Sequence, residues 1–261
     1  MSEQSYASTL KKMLSQKELT KKAKVLVVCG GTLDRDVLFQ LGFENVTISN
    51  IDERIKGDEF APYAWSFQDV ERLSYGNEEF DFVIVHAGLH HCLSPVRGLL
   101  EMYRTAKTGI LVLEARDSLL INLALFCDLT NDYEVAAVVH NNHTFGGCRN
   151  SAIPNYIYRW TEKEVIKTIS SYAPQFKHKV QFFYGLRMPY ESLSLRKSKA
   201  AYVAVKVLEP ITRMLHWLFP KQCNEFAFLI KKPNSPEDLW PWLEKKGGEI
   251  TINRKWTRER F

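Results

Sequence analysis

Hydrophobic and β-branched positions gather into short runs separated by stretches of helical period. The runs are KVLVVC (24–29), NVTISNID (45–52), FDFVIVHA (80–87), ILVLEA (110–115), KVQFFYGL (179–186) and EFAFLIKK (225–232). A weaker strand is expected near 64–67. Runs this short and this apolar predict strands buried on both faces, hence a mainly parallel sheet between two layers of helices. Helices are predicted over about 5–22, 34–41, 94–106, 117–129 and 161–173. Ser94 followed by Pro95 marks one start, and Thr161 with Glu164 three residues on marks another as a capping box. Residues 196–219 read as one or two helices interrupted at Pro210. In such sheets ligands sit beyond the carboxyl ends of the strands, so the chemistry is expected just after the first, second and fourth.

Between these elements, 119–160 loses its period and is rich in polar and aromatic residues. A long irregular segment in a compact domain points to a lid or binding loop. The tail after Pro233 is charged and Trp-rich, and is expected to pack on the body or on a second copy of the chain, as a homodimer. The organisation read from this is one domain over 1–261: core about 20–118 and 161–232, insertion about 119–160, tail 233–261.

Composition adds little. The chain has 261 residues and a net charge of +5, with basic residues gathered near both ends. Such runs read as solvated faces before they read as polyanion-binding arms. The five cysteines are scattered without a C-x-x-C pair, which excludes a zinc knuckle and fits a reduced, cytoplasmic setting. No stretch has the length and apolarity of a membrane span, and the first residues do not read as a signal peptide.

The turn Cys29-Gly30-Gly31 joins the first strand to a helix, and taken alone is a plain tight turn. In order with an acidic end to the second strand, Asp69 before RLSYGNEEFDFVIVHAGLHH, and GLLEMYRTAKTGILVLEA, it resembles the class I S-adenosylmethionine-dependent methyltransferases. It is most similar to their type-11 methyltransferase domain, by motif over roughly residues 20–118. The resemblance implies a doubly wound, seven-stranded Rossmann-like sheet with a hairpin-like return of the last strands and an insertion after strand 5. S-adenosyl-L-methionine is the implied cofactor and S-adenosyl-L-homocysteine the product.

On this reading Cys29, Gly30 and Gly31 form the cofactor turn, with the glycines letting the backbone approach without a Cβ clash. Asn50 or Asp52 would accept from the ribose. Asp69, with Val70, would hold the adenine. Two departures stand out: Val27 occupies the place of the family's strand-1 acid, and Leu33 that of its last glycine. Asp34 or Asp36 is the substitute for the missing charge. A nicotinamide dinucleotide fits less well, because the helix does not open with G-x-G-x-x-G.

A sulfonium donor is already activated, so the protein mainly aligns a nucleophile and takes a proton where one must leave. His90 or His91, with His86 third, is the expected base or orienting group; a capping histidine is the alternative for each. His86 is also placed against the cofactor. H-x-x-x-H-H lacks a carboxylate or cysteine framework in sequence, so no metal is expected. The acceptor side is expected from His143, Arg149, Tyr156 and Arg159, beside His140, Asn155 and Tyr158. The function expected is methylation, preferably at oxygen, of a small-molecule or sugar-type acceptor. A non-catalytic scaffold of the same fold is the alternative. A nucleic-acid acceptor is disfavoured, since no Asn-Pro-Pro-Tyr or Asp-Pro-Pro-Tyr follows the fourth strand.

Overall fold

A computed structural model describes residues 2–188, 190 and 199–261. Seven strands form one sheet in the order β3-β2-β1-β4-β5-β7-β6. They are β1 Lys24–Val28, β2 Asn45–Asn50, β3 Ala64–Phe67, β4 Phe80–His86, β5 Ala106–Ala115, β6 Lys179–Gly185 and β7 Glu225–Lys231. The first five pair in parallel, whereas β7 runs antiparallel between β5 and β6. The seven-stranded sheet and its antiparallel return match the expected architecture. The expected weak strand near 64–67 is β3.

Each face of the sheet carries its own apolar core, which explains the runs. Leu26, Val28, Val83, Val85 and Val112 face a layer containing α3 Pro95–Thr105 and α6 Glu162–Tyr172. Val25, Val27, Ile84, Leu111 and Leu113 face α1 Glu3–Ser15 and α2 Thr32–Leu41. The predicted caps are present. The Ser94 hydroxyl accepts from Arg97 N, and Thr161 and Glu164 bond reciprocally at 3.2 Å and 2.9 Å.

Three boundaries differ from expectation. α1 ends at Ser15, because Lys17 adopts a left-handed conformation (φ 58°) and turns the chain back so that Leu19 is buried. α7 Lys199–Leu218 runs through Pro210 without a break; residues 196–198 of the expected helix lie outside the described residues. Lys206, whose carbonyl loses its partner at Pro210, is exposed, so water can satisfy it. The tail forms a hairpin of β8 Leu243–Lys246 and β9 Glu249–Ile252 around Gly247-Gly248, then a short α8 Arg254–Arg258. Its first residues dock on the body: Lys177 N donates to the Asp238 carbonyl at 2.7 Å. In the insertion, α4 Leu119–Phe126 and α5 Val135–His140 are short and joined by turns.

α1 closes one side of the strand ends. Ser2 N and the Ser5 hydroxyl both donate to the buried Glu225 at the start of β7, at 2.6 Å and 2.5 Å. Tyr6, fully buried, stacks on His86 with ring centroids 4.6 Å apart. Asp34 accepts from Gly31 N at 2.9 Å in the first turn of α2. Among the described residues, Tyr6 Oη, Asp34 Oδ1 and His86 Nε2 are buried here without a partner in full hydrogen-bond geometry, with Tyr6 and Asp34 interacting. Burial pushes the Asp34 carboxyl up to about 7 and the His86 imidazole down to about 4.

These two shifts act on stability in opposite senses. Folded Asp34 holds a proton that the unfolded chain releases, so its contribution falls as pH rises from about 4 to about 7. Folded His86 stays neutral where the unfolded chain is protonated, so its contribution falls as pH drops from about 6.5 to about 4. Urea unfolding across this range checks both. Relative to the native chain, Asp34→Asn should gain stability with rising pH and His86→Asn should lose it. Parallel curves for all three proteins would refute the assignment.

Candidate active site

The last residue but one of β5 organises the site. Glu114 is fully buried, an ionisable group at the end of an otherwise apolar strand. Its Oε1 accepts from Gly88 N at 2.9 Å and Leu89 N at 2.6 Å. Its Oε2 lies 2.7 Å from His90 Nδ1. The turn after β4 is therefore tied to β5 by one carboxylate, which presents His90 and His91 on a single helical turn, Leu89–His91.

Glu134, just before α5, reaches the same two rings. Its Oε2 is 3.3 Å from His90 Nε2 and 3.4 Å from His91 Nε2. His91 Nδ1 faces the Gly147 carbonyl at 3.3 Å. Burial opposes charge on His90, but Glu114 and Glu134 outweigh it and raise its pKa to about 10. Burial, then the His90 charge, lowers that of His91. Burial works against the Glu134 carboxylate too, yet the two histidines bring it down to about 2. Sequence reading found both histidines and missed both glutamates. The premise that no carboxylates accompany the histidines is corrected: the fold brings in Glu114 from β5 and Glu134 from the insertion.

Beside this cluster lies a cavity of about 390 Å³ at the carboxyl ends of β1, β2 and β4. Cys29, Asn50, Asp52, Asp69, Val70 and His91 line it, together with residues 145–147 and 149–150 of the insertion. Cys29 (φ 53°) and Ala87 (φ 54°) hold left-handed backbone at the ends of β1 and β4. Such strain in residues bearing a Cβ gathers at functional sites.

The expected cofactor residues divide. Gly30 is required by packing, since a Cβ there would fall 2.7 Å from Ile48 Cγ2, whereas a Cβ on Gly31 would meet no atom within 4 Å. Only Gly31 has open space for a close approach, and of the expected cofactor turn only Cys29, not Gly30 or Gly31, lines the cavity. Asn50 is a brace: its amide donates to the Gly30 carbonyl at 2.9 Å and its Oδ1 accepts from Asp52 N at 3.1 Å. Asp52 forms an ion pair with Arg54, whose guanidinium lies 3.1 Å over the Phe145 ring. Asp69 accepts from Glu71 N at 2.9 Å and from Arg149 at 2.7 Å. His86 does not join His90 and His91 at the cavity, because its ring is stacked under Tyr6. Asp34, not the exposed Asp36, is the acid buried against the turn.

The expected acceptor residues are also dispersed. Arg149 lines the cavity. Arg159 bonds Asp132 at 2.7 Å and the Asn131 carbonyl at 2.6 Å, in a separate recess shared with Tyr156. His143 and His140 are exposed around the end of α5, outside the cavity lining.

The methyltransferase domain family, type 11, matches residues 27–113. Solved structures share the architecture at low identity. Magnesium protoporphyrin IX methyltransferase from Synechocystis PCC 6803, solved with bound S-adenosylhomocysteine, superposes with a TM-score of 0.53 at 14% identity, covering 88% of this chain and 83% of that one. The [4+2]-cyclase SpnF gives 0.54 at 14% identity, covering 89% and 82%. A methyltransferase from Archaeoglobus fulgidus gives 0.50 at 14%, covering 88% and 95%. No curated protein matches the sequence. Residues 27–113 match the methyltransferase domain model, and the seven-stranded sheet has the class I S-adenosylmethionine-dependent methyltransferase fold.

The site is expected to depend on Glu114. Removing one partner of a buried, hydrogen-bonded charge pair typically costs about 3–5 kcal/mol. Glu114→Gln should lower unfolding stability by that order in urea titration, and a change below about 1 kcal/mol would show that the cluster holds without its charge.

Proposed function

We propose that the chain is an S-adenosylmethionine-dependent methyltransferase that methylates an oxygen of a small-molecule or glycan-precursor acceptor. The observation that carries this is one cavity with two chemically distinct ends. Asp52, Asp69 and Val70 follow β2 and β3 on one side of β1, and His91, with Glu134 at its ring, follows β4 on the other.

The residues present fit the cofactor. Two carboxylates suit ribose hydroxyls and an adenine amino group, and Val70 supplies an apolar wall. Gly31 leaves its surroundings clear. When bound, S-adenosylmethionine supplies a methyl group already activated on a sulfonium. The chain's own part is placement and proton handling. Asp52 and Asp69 fix the cofactor's nucleoside end, exchanging their arginine partners for it. The loop at 141–150 lines one side of the cavity. His91, neutral through burial and the neighbouring His90 charge, takes the proton of an acceptor hydroxyl. Arg149, freed from Asp69, is the cavity residue suited to an anionic group on the acceptor. A cavity of about 390 Å³ beside a loop favours a small acceptor over a nucleic acid.

A scaffold reading has one observation in its favour: both candidate acids are paired with the chain's own arginines. Fold does not choose between them, since a cyclase shares it. Calorimetric titration with S-adenosylmethionine and S-adenosylhomocysteine does. Micromolar binding is expected, weakened at least about tenfold, or 1.4 kcal/mol, in Asp69→Ala. A folded chain that binds neither ligand would refute the enzyme. Arg149→Ala should raise the acceptor KM with little change in kcat, and an unchanged KM would remove Arg149 from the acceptor site.

A further inference from the structure

The cluster at the proposed acceptor end of the cavity brings two ring nitrogens and a carboxylate oxygen to one point. His90 directs Nδ1 at the Glu114 carboxylate, 2.7 Å away, and His91 directs Nδ1 at the Gly147 carbonyl, at 3.3 Å. Both facing groups only accept hydrogen bonds, so in each ring the Nδ1 carries the proton. The second nitrogen of each ring, Nε2, either donates a proton or, deprotonated, ligates a cation. Both converge on Glu134 Oε2, another acceptor, at 3.3 Å and 3.4 Å. Ring protons can satisfy this oxygen, and so can a single cation held among the three atoms in their place.

From this geometry we infer that His90 Nε2, His91 Nε2 and the Glu134 carboxylate bind a divalent first-row transition ion, with Glu114 as the outer carboxylate behind His90. The three donor atoms lie within 4.8 Å of one another. Tetrahedral coordination at about 2.0–2.1 Å separates neighbouring ligand atoms by roughly 3.3–3.4 Å. The observed 3.3 Å and 3.4 Å separations already have that value. Two histidines and one glutamate leave a coordination position open, the pattern of catalytic rather than structural zinc. Imidazole donors also select zinc, iron, cobalt or nickel over magnesium or calcium. A carboxylate behind a ligating histidine fixes its tautomer and strengthens it as a ligand, which is what Glu114 does for His90.

The open side faces the cavity. His91 and Glu134 both line it, with side chains 32% and 35% exposed, while His90 is almost covered at 10%. The insertion also takes part, because Glu134 and the Gly147 carbonyl both belong to it. Gly147 cannot carry a side chain: a Cβ there would fall 1.9 Å from the Ile153 carbonyl oxygen. The ion therefore couples the loop beside the cavity to the turn after β4.

Its chemical role rests on the proposed function and replaces one part of it, the base role given there to His91. The ion holds the acceptor hydroxyl oxygen and lowers its pKa, and the proton leaves to water. The oxygen is then held as the nucleophile, and His91 serves as ligand in place of base. Metal binding itself does not depend on that reading.

The test is titration of the metal-free full chain with Co2+, followed by visible d–d absorption, and with Zn2+ by calorimetry, both without cofactor. One equivalent is expected to saturate the site and give the spectrum of a low-symmetry Co2+ centre. Glu134→Gln and His91→Ala, each checked for folding by circular dichroism, should weaken binding by more than about 100-fold, beyond the 10–100-fold typical of outer-shell changes. His143→Ala, an exposed histidine outside the cluster, should leave it unchanged. Absence of a one-to-one site, or equal binding by the native chain and both ligand variants, would overturn the inference and leave His90 as an imidazolium held between two carboxylates. Metal binding without S-adenosylhomocysteine binding would sink the proposed reaction and keep the metal site; the reverse would keep the reaction and sink the site.

Discussion

A single carboxylate taken out of water governs the reactive end of this fold. Burying an unpaired charge is prohibitively costly, so a fully covered glutamate must be met by several donors at once. Glu114 is met by two backbone amides and an imidazole. The amides come from the turn after β4, so the turn cannot relax without stripping the carboxylate of its partners. The imidazole belongs to His90, so the ring is fixed in position and tautomer by the same demand. From there the order passes outward to Glu134, to His91 and to the insertion. What reads as a catalytic cluster is first a solution to a solvation problem inside a parallel sheet.

The end of the cavity proposed for the nucleoside is governed differently. Asp52 and Asp69 lie nearer to solvent and are neutralised by arginines reaching across: Arg54 beside Asp52 and Arg149 from the loop. Pairs this exposed contribute little stability in water. They are accordingly exchangeable, which is what a site that must accept a polar ligand requires. The rigid end of the cavity is buried and the adaptable end is solvated. That division follows from burial alone.

Much of this was legible in the sequence. Six of the seven strands of the main sheet appear as hydrophobic runs and β3 only as a weak one, and Ser94, Pro95, Thr161 and Glu164 mark helix starts by local chemistry. Asp52, Asp69, His90 and His91 could be placed because they follow directly on strands whose ends must converge. The missed partners are those whose position depends on long-range packing. Glu134 lies in a segment with no period. Glu114 did leave a trace, as an ionisable residue ending the apolar run ILVLEA, and such a residue needs a partner wherever it is buried. The β8–β9 hairpin was signalled by Gly247-Gly248 between short strands and overlooked amid lysines. His86 misleads for a geometric reason: one residue beyond Val85 along a strand, a side chain points to the opposite face, here toward Tyr6.

The antiparallel insertion of β7 has a consequence for biosynthesis. β5 and β6 leave the ribosome well before the strand that separates them. Until Glu225–Lys231 arrives, the apolar inner edge of β5 stands unpaired beside a half-built sheet. An open edge of that kind invites pairing with other chains. The nascent protein is therefore most vulnerable to aggregation late in translation, when most of its core already exists and its central seam is still open.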